Sequence, residues 1–537
     1  MLGAHMAGLN DRIRFYDRAL TRFSRRELLS LAWTLGAAAI ARPLISTSLL
    51  AQPLFRTYPF PLGVASGDPL PDGVVVWTRL APEPFDGGGM PMANVEVAWE
   101  VASDRAFRTV VRKGTTIARP ELGHSVHVEI SGLEPAREYF YRFHCGAEAS
   151  PIGRTRTAPP EGAAVDRLRF AVCGCSHYET GYFTAYRRIA AEQFDFVLHT
   201  GDYIYEGRAD GGKAGTVRQH RGEEIYTVVD YRNRYALYKS DPDLRAAHAS
   251  APFVVTWDDH EVDNDYAGDA DEHDTPPEVF LLRRAAAYQA YYETMPLRLS
   301  TLPTGPSMRL YRRLRFGSLI DLTVLDTRQF RSNQACNGVS ATGCTDADAP
   351  ARTILGAAQE RWLFDQLAGI KATWTVLGQQ VPTFARNMVR ATPNAQYSMD
   401  KWDGYSAARQ RLYTRLRETR APNPIVLSGD VHVHYGADLK MDFADPRSPV
   451  IGSEFTNTSI TSGGDGAEVG ATWEQIRPDN PHIKYHSARR GYIACTATPS
   501  LMRADFKVLG RVTVSESPER TGGSLVVEAG RPGASAG

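Results

Sequence analysis

From Arg167 onward, six apolar runs each end in a polar cluster, and this repeated punctuation constrains the fold more than any other feature of the sequence. Residues 168–172 lead into Cys175, 194–198 into Asp202 and 252–257 into Asp258. Residues 319–325 lead into Asp326, 374–377 into Gln379 and 424–427 into Asp430. Short apolar runs bounded by turn formers read as buried strands. Between the first two, residues 181–193 place Phe183, Tyr186 and Ile189 on one helical face. Strands alternating with helices make an α/β frame, in which ligands bind beyond the carboxyl ends of the strands. Six such ends carrying thiol, carboxylate, imidazole and amide groups predict one convergent site.

The stretch before this frame has a different texture. Residues 73–78 and 94–99 are strand-like and separated by turns rich in Gly, Pro and Asp. In 138–143, Tyr139, Tyr141 and Phe143 share one face while Glu138 and Arg142 take the other, the alternation of a half-buried strand. A seven-strand sandwich of the immunoglobulin or fibronectin kind is expected, and Pro159-Pro160-Glu161-Gly162 reads as the linker behind it. The 537 residues exceed what one ordinary domain holds. The expected division is an export segment over 1–51, a β-sandwich over 57–158 and a catalytic unit over 167–515, an α+β organisation. From about Gly522 the tail looks Gly-rich and of low complexity.

Ser24-Arg25-Arg26-Glu27-Leu28-Leu29 precedes a mostly apolar stretch over 28–41 and reads as a twin-arginine signal. Ala41, after Ala39-Ile40, and Ala51 are alternative cleavage points. No apolar run reaches the roughly 18 residues of a membrane span. The expected location is therefore periplasmic or secreted, with the twin-arginine machinery as a partner. Cys336 and Cys344 bracket a short loop that can close as a disulfide after export, whereas Cys145, Cys173, Cys175 and Cys495 have no evident partners. Lys+Arg and Asp+Glu both number 61, which argues against a general nucleic-acid binder. A monomer without a stable nucleic-acid or membrane partner is expected.

Three clusters carry chemistry: Gly201-Asp202-Tyr203-Ile204-Tyr205-Glu206, Trp257-Asp258-Asp259-His260-Glu261 and Gly429-Asp430-Val431-His432. A Gly-Asp pair at a strand end turns the backbone tightly and aims the carboxylate into a cleft. A single Asp at such a place is more often a helix cap or turn former. Three clusters in this order on one α/β frame are a strong signal of one site. Arg284 and Arg328 offer bidentate guanidinium donors for a substrate phosphate, with a core salt bridge as the alternative use. His177 and His199 read as structural hydrogen-bonders and Cys173 as a buried strand residue.

The order Gly-Asp-x-x-Tyr, Asp-His-Glu and Gly-x-x-His resembles the metallophosphoesterase superfamily, which includes purple acid phosphatases. Cys175-Ser176-His177-Tyr178-Glu179-Thr180-Gly181-Tyr182-Phe183, Leu325-Asp326-Thr327-Arg328, Leu377-Gly378-Gln379-Gln380 and Trp402-Asp403-Gly404-Tyr405 narrow it. With the Trp257 and Gly429 motifs, they are similar to the PhoD family of alkaline phosphatases and phosphodiesterases. The resemblance implies a four-layer αββα core behind the sandwich. It implies ferric iron (Fe3+) held by Cys175, Asp202, Tyr205 and His432, with Asp202 bridging to a second metal. Asp430 and Asp259 fall at ligand positions for that second metal, Asp258 and Asp265 at further calcium (Ca2+) positions, and His260 at a catalytic histidine. His434 is expected to line the pocket.

Chemistry agrees with that implication. A phenolate near neutral pH needs a strongly charged cation, because free Tyr has a pKa near 10. An oxygen-only second set, with Gln380 a further donor, suits calcium, magnesium or manganese rather than zinc. The expected activity is hydrolysis of phosphate mono- or diesters by a metal-bound hydroxide. The alternatives are a phospholipase D-like phosphodiesterase, and a non-enzymatic binding protein on a degenerate core. A degenerate core should have lost one of Cys175, Asp202, Tyr205, Asp430 or His432, and all five are present.

Overall fold

The computed structural model describes residues 55–537 apart from 214, 339–340 and 391–394. The expected export segment lies outside the described residues. Two large sheets pack face to face. The ten-stranded sheet runs, in spatial order, Arg531–Ala536, Glu519–Glu528, Leu501–Leu509, Gly491–Ala497, Leu168–Cys173, Phe196–His199, Pro252–Val255, Val64–Leu70, Gly73–Arg79 and Ser125–Ile130. The eight-stranded sheet runs Arg312–Phe316, Ile320–Val324, Trp374–Gly378, Pro424–Ser428, Val450–Thr456, His434–Lys440, Ile483–Arg489 and Gly466–Ala467.

Alternation along each strand builds the layers. Val172, Leu198 and Val254 of the first sheet meet Leu322, Val376, Ile425 and Leu427 of the second in a buried core. Their neighbours Ala171, Cys173, Val197, Phe253 and Val255 join a separate core with Tyr186 and Ile189 of helix Thr184–Ala191, Tyr235 of Val228–Lys239, Leu244 of Pro242–Ser250 and Tyr288 of Pro277–Thr294. Helices Gly356–Leu367 and Ser406–Glu418 cover the other sheet through Leu363, Leu412 and Leu416 against Leu377 and Val426. The result is the four-layer αββα arrangement. Strands covered on both faces need apolar residues at successive positions, which is why the sequence shows continuous runs.

Parallel pairing then sets the site. Leu168–Cys173, Phe196–His199 and Pro252–Val255 are parallel neighbours in one sheet. Ile320–Val324, Trp374–Gly378 and Pro424–Ser428 are parallel neighbours in the other. All six expected strands are present, and each sheet delivers three carboxyl ends to one rim.

The N-terminal β-sandwich is present, with Tyr139, Tyr141 and Phe143 buried against Val74, Val76 and Val128 of the facing sheet. It is not free-standing. Ser66 and Gly67 pair in parallel with Pro252 and Phe253, so one of its sheets continues the catalytic sheet. An unpaired edge on the Pro252–Val255 strand would otherwise expose its backbone donors and acceptors. On the other face of that sheet, Trp77 is fully buried and its indole N–H donates to the Glu293 carbonyl at 2.9 Å.

The C-terminal tail also departs from expectation. Glu519–Glu528 and Arg531–Ala536 extend the ten-stranded sheet beyond 515, and Leu525 and Val527 enter the inter-sheet core. Gly523 is a packing requirement: a Cβ there would come within 2.3 Å of the Tyr485 ring. Cys336 and Cys344 form the expected disulfide, and the other four cysteines are free and buried. Among the described residues no helix is long and apolar enough to cross a membrane.

Candidate metal centre

The backbone of the rim is strained where ligands are wanted. Cys175, Asp202, Asp430 and His432 sit at φ of 57°, 53°, 70° and 55°. Non-glycine residues rarely occupy this region, and such strain concentrates at functional sites. Neighbouring loops hold it in place. Cys175 N–H donates to Gly201 O at 3.1 Å, Ser176 N–H to Asp202 O at 2.8 Å and Gly429 N–H to Gln380 O at 2.7 Å. Gly201 is needed for the close approach, since a Cβ there would lie 2.4 Å from Asp258 N. Glu261 then pins two loops with one carboxylate, accepting N–H groups from Asp202 at 3.1 Å, Tyr203 at 2.7 Å and Asp258 at 2.9 Å.

Three overlapping groups of donors result. Ligand atoms of Cys175, Asp202 and His432 lie within 4.8 Å of one another, as do those of Asp202, Asp259 and His260, and those of Asp258, Asp259 and Asp430. Tyr205 Oη joins the first group, 2.9 Å from Asp202 Oδ2 and 3.1 Å from His432 Nε2. Asp202 therefore belongs to both ends of the site. The Tyr205 ring packs at a tilt against His260, with centroids 4.0 Å apart, and against His177 at 4.4 Å.

The two ends differ electrically. Burial, then Asp202 and Asp430, push the Cys175 thiol well above its ordinary value. Burial, then Asp202 and Cys175, do the same to the Tyr205 phenol. Both therefore carry their protons until a cation displaces them. The other end is an acidic cluster interleaved with two cations. Arg328 reaches Asp258 at 2.5 Å and Asp400 at 2.7 Å, and Lys401 reaches Asp430 at 2.5 Å and Asp400 at 2.7 Å. Burial opposes the Asp400 charge, but Arg328 and Lys401 overcome it and hold that carboxyl well below the usual range. Asp265 stands at the edge of the cluster. Its N–H donates to Asp259 Oδ2 at 2.8 Å, and burial and Asp400 push its own carboxyl up to about 8.

Asp202 Oδ1 and Asp258 Oδ2 are buried without a hydrogen-bond partner. Such atoms are costly unless something satisfies them. A cation between these carboxylates would do so, and the donor chemistry of the residues present fits metal ions at both ends.

His260 closes the site. Its Nδ1 lies 2.7 Å from Glu206 Oε2. Burial pulls the imidazole down, yet Glu206, Asp259 and Asp202 outweigh it and hold the ring protonated.

The other residues singled out in the sequence make structural hydrogen bonds and ion pairs. Arg284 is not brought into the cluster: its guanidinium donates to the carbonyls of Pro306, at 3.0 Å, and Gly268, where it ties two loops. Arg328 is fully buried in ion pairs, the salt-bridge use of the two considered. Gln380 is a strand-end crosslink, accepting from Thr327 N–H at 3.0 Å and donating to Thr256 Oγ1 at 2.6 Å. His434 is buried and accepts from Thr458 N–H at 3.1 Å through Nδ1. His199 hydrogen-bonds the Tyr186 hydroxyl at 2.9 Å. Sequence reasoning missed Glu206, Glu261, Asp400, Lys401 and Ser462. The first two end motifs it had singled out, and Asp400-Lys401 directly precede Trp402-Asp403-Gly404-Tyr405.

Comparison with known proteins adds independent support. The family model for the PhoD-like phosphatase matches residues 170–506, and that for the PhoD-like phosphatase N-terminal domain matches 46–159. The chain is 48% identical over 517 residues to alkaline phosphatase D of Bacillus subtilis (strain 168), covering 95% of this chain and 88% of that one. A solved structure described as that of PhoD superposes with a TM-score of 0.88 at 50% identity, covering 90% of this chain and 93% of that one. The metal-ligand geometry, the αββα frame with its fused sandwich and these matches agree: the chain belongs to the PhoD-like phosphatase family.

Proposed function

We propose that this protein hydrolyses phosphate esters at a dinuclear centre. Ferric iron would be held by Cys175, Asp202, Tyr205 and His432, and calcium by Asp202, Asp259 and Asp430, with Asp258 and Asp265 beside it. The observation that carries the reading is the complete donor set meeting at the shared, half-unsatisfied carboxylate of Asp202. Bound there, the ions would supply Lewis acidity toward a phosphoryl oxygen and lower the pKa of a water molecule.

The chain's own groups do the rest. Asp202 fixes the separation of the two ends. His260, kept protonated by Glu206, presents a charged N–H to phosphoryl oxygens or to the leaving oxygen. Glu261 keeps the Asp202 and Asp258 loops from parting. Ser462, the serine against Tyr205, is buried with its hydroxyl already engaged. That supports water as the nucleophile, and attack should then invert a chiral phosphorus in one step.

The test is metal analysis of the purified protein beside turnover of a monoester and a diester chromogenic substrate. Iron and calcium with turnover of either substrate support the reading, and the ratio of the two rates assigns the ester class. A colourless, iron-free and fully active protein overturns the metal assignment. No turnover with both metals bound favours a binding protein instead.

Export follows from the same reading. Arg25-Arg26 ahead of an apolar stretch supports the twin-arginine route to the periplasm or medium, and the Cys336–Cys344 disulfide suits an oxidising compartment. Exchanging both arginines for lysine should strand the precursor in the cytoplasm, and normal export would refute the route.

A further inference from the structure

We propose that Ser462 is a positioning residue that donates a hydrogen bond to the coordinated Tyr205 phenolate, and that Arg490 holds the loop presenting it. The proposal rests on the ferric reading above. Ser462 Oγ lies 2.6 Å from Tyr205 Oη and 2.8 Å from the Cys175 carbonyl oxygen. It also accepts the His177 N–H at 3.3 Å. One buried hydroxyl thus touches the donor atom of one ligand and the backbone of another.

Proton counting decides where its single hydrogen goes. While Tyr205 is a neutral phenol, its own O–H points to Asp202 Oδ2 at 2.9 Å, and the Ser462 proton has two acceptors, Tyr205 Oη and Cys175 O. A coordinated phenolate oxygen has no proton to give and carries negative charge. A hydrogen bond to a charged acceptor is roughly twice as strong as one between neutral groups. The Ser462 proton therefore turns to Tyr205, and the Cys175 carbonyl gives up that donor.

The loop is built to keep the hydroxyl in reach. Ser459 Oγ donates to the Ser462 carbonyl at 2.7 Å, and Thr461 Oγ1 donates to the His177 carbonyl at 2.7 Å. Arg490 Nε donates to the Gly464 carbonyl at 2.9 Å and Nη1 to Ser459 Oγ at 3.1 Å. Nη1 also donates to the carbonyl of His432, a ligand in the same half. Arg490 therefore fixes Ser462 relative to His432. Partners outside the ligand set that orient ligands tune a metal's affinity and electronics. A donor on the phenolate withdraws electron density from it, which weakens its donation to the ferric ion and leaves that ion easier to reduce.

The experiment compares wild type, Ser462→Ala and Ser462→Thr, each purified with its metals. It reads iron content, the visible charge-transfer band and the rate of bleaching by dithionite. Ser462→Ala should keep iron, move the band to longer wavelength and slow bleaching on the order of tenfold. Ser462→Thr should restore both. Resonance Raman of the wild type, free of any folding concern, should show the phenolate C–O mode shifting in D2O. A wild type that contains iron but no such band overturns the ferric-phenolate reading and this proposal with it. A wild-type band that Ser462→Ala leaves unmoved, or a C–O mode insensitive to D2O, overturns the Ser462 role alone.

Discussion

The two halves of the centre share Asp202 and solve opposite problems. In the Cys175–Tyr205–His432 half, burial keeps the thiol and phenol neutral, so an incoming ion competes with protons. In the Asp258–Asp259–Asp430 half, Arg328 and Lys401 already sit among the carboxylates, so an incoming ion competes with fixed cations. Proton competition favours the ion with the highest charge. Competition with a guanidinium and an ammonium favours a divalent ion whose oxygen shell is flexible and exchangeable. On the proposed reading, unlike ways of storing charge would select unlike metals, and a site made of two identical halves would lose that discrimination.

The largest effect should come from breaking what the halves share. Asp202→Asn keeps the shape and removes the charge. An amide cannot bridge two cations, so both metals should be lost and turnover should fall by roughly a thousandfold, the scale of several kcal/mol that such ions supply. Elemental analysis beside the rate measurement checks it. Wild-type calcium content with iron gone would show that the carboxylate half stands without Asp202.

Lys401→Met addresses one half only. Lys401 is the partly buried partner of Asp430 and of the buried Asp400. Removing one member of a buried pair leaves an uncompensated charge and costs about 3 kcal/mol. The metal-free variant should therefore melt several degrees lower, and calcium should recover most of the loss because it takes over the charge of Asp430. Iron content should not move. An equal loss of Tm with and without calcium would mean that Lys401 is a structural cation and no competitor.

How much of this was legible in the sequence follows the range of the interactions involved. The six strand ends were readable, because each depends on a local turn after a local apolar run, whereas Cys175, Asp202, Tyr205 and His432 were named through the family resemblance, and their donor atoms lie together at those ends. The pairing of Ser66 with Pro252 was not, because strand registry between distant segments leaves no periodic trace. Arg284 was misplaced for a related reason: a guanidinium is equally suited to a phosphate and to a pair of loop carbonyls, and only tertiary contacts choose. The Gly522-Gly523 tail read as low complexity because a glycine required by the Tyr485 ring looks the same in sequence as one that is merely flexible. Ser462 carries no motif at all. Its role exists only because its loop folds back under Tyr205 and Cys175.

The smallest effect expected lies at the outer edge of the carboxylate half, where the disulfide loop meets it. Gln334 Nε2 donates to Asp400 Oδ1 at 2.9 Å and to the Asp265 carbonyl. Two residues on, Cys336 is bonded to Cys344, and both residues pack against the cluster of Ala335, Ala347 and Met399, the residue before Asp400. The crosslink thus restrains the segment that aims Gln334 at Asp400, an acid beside the carboxylate half. A hydrogen bond to a charged group loosened in this way costs about 1 kcal/mol, roughly a fivefold weaker calcium affinity. Replacing both Cys336 and Cys344 with Ser should give that shift in a calcium titration and leave the iron band where it was. Gln334→Ala with the disulfide intact should reproduce the same shift, which separates a local restraint from a general loss of stability. If the cysteine pair moves the iron band as far as the calcium midpoint, the two halves are mechanically coupled through more than Asp202, and the contrast between them is one of charge alone.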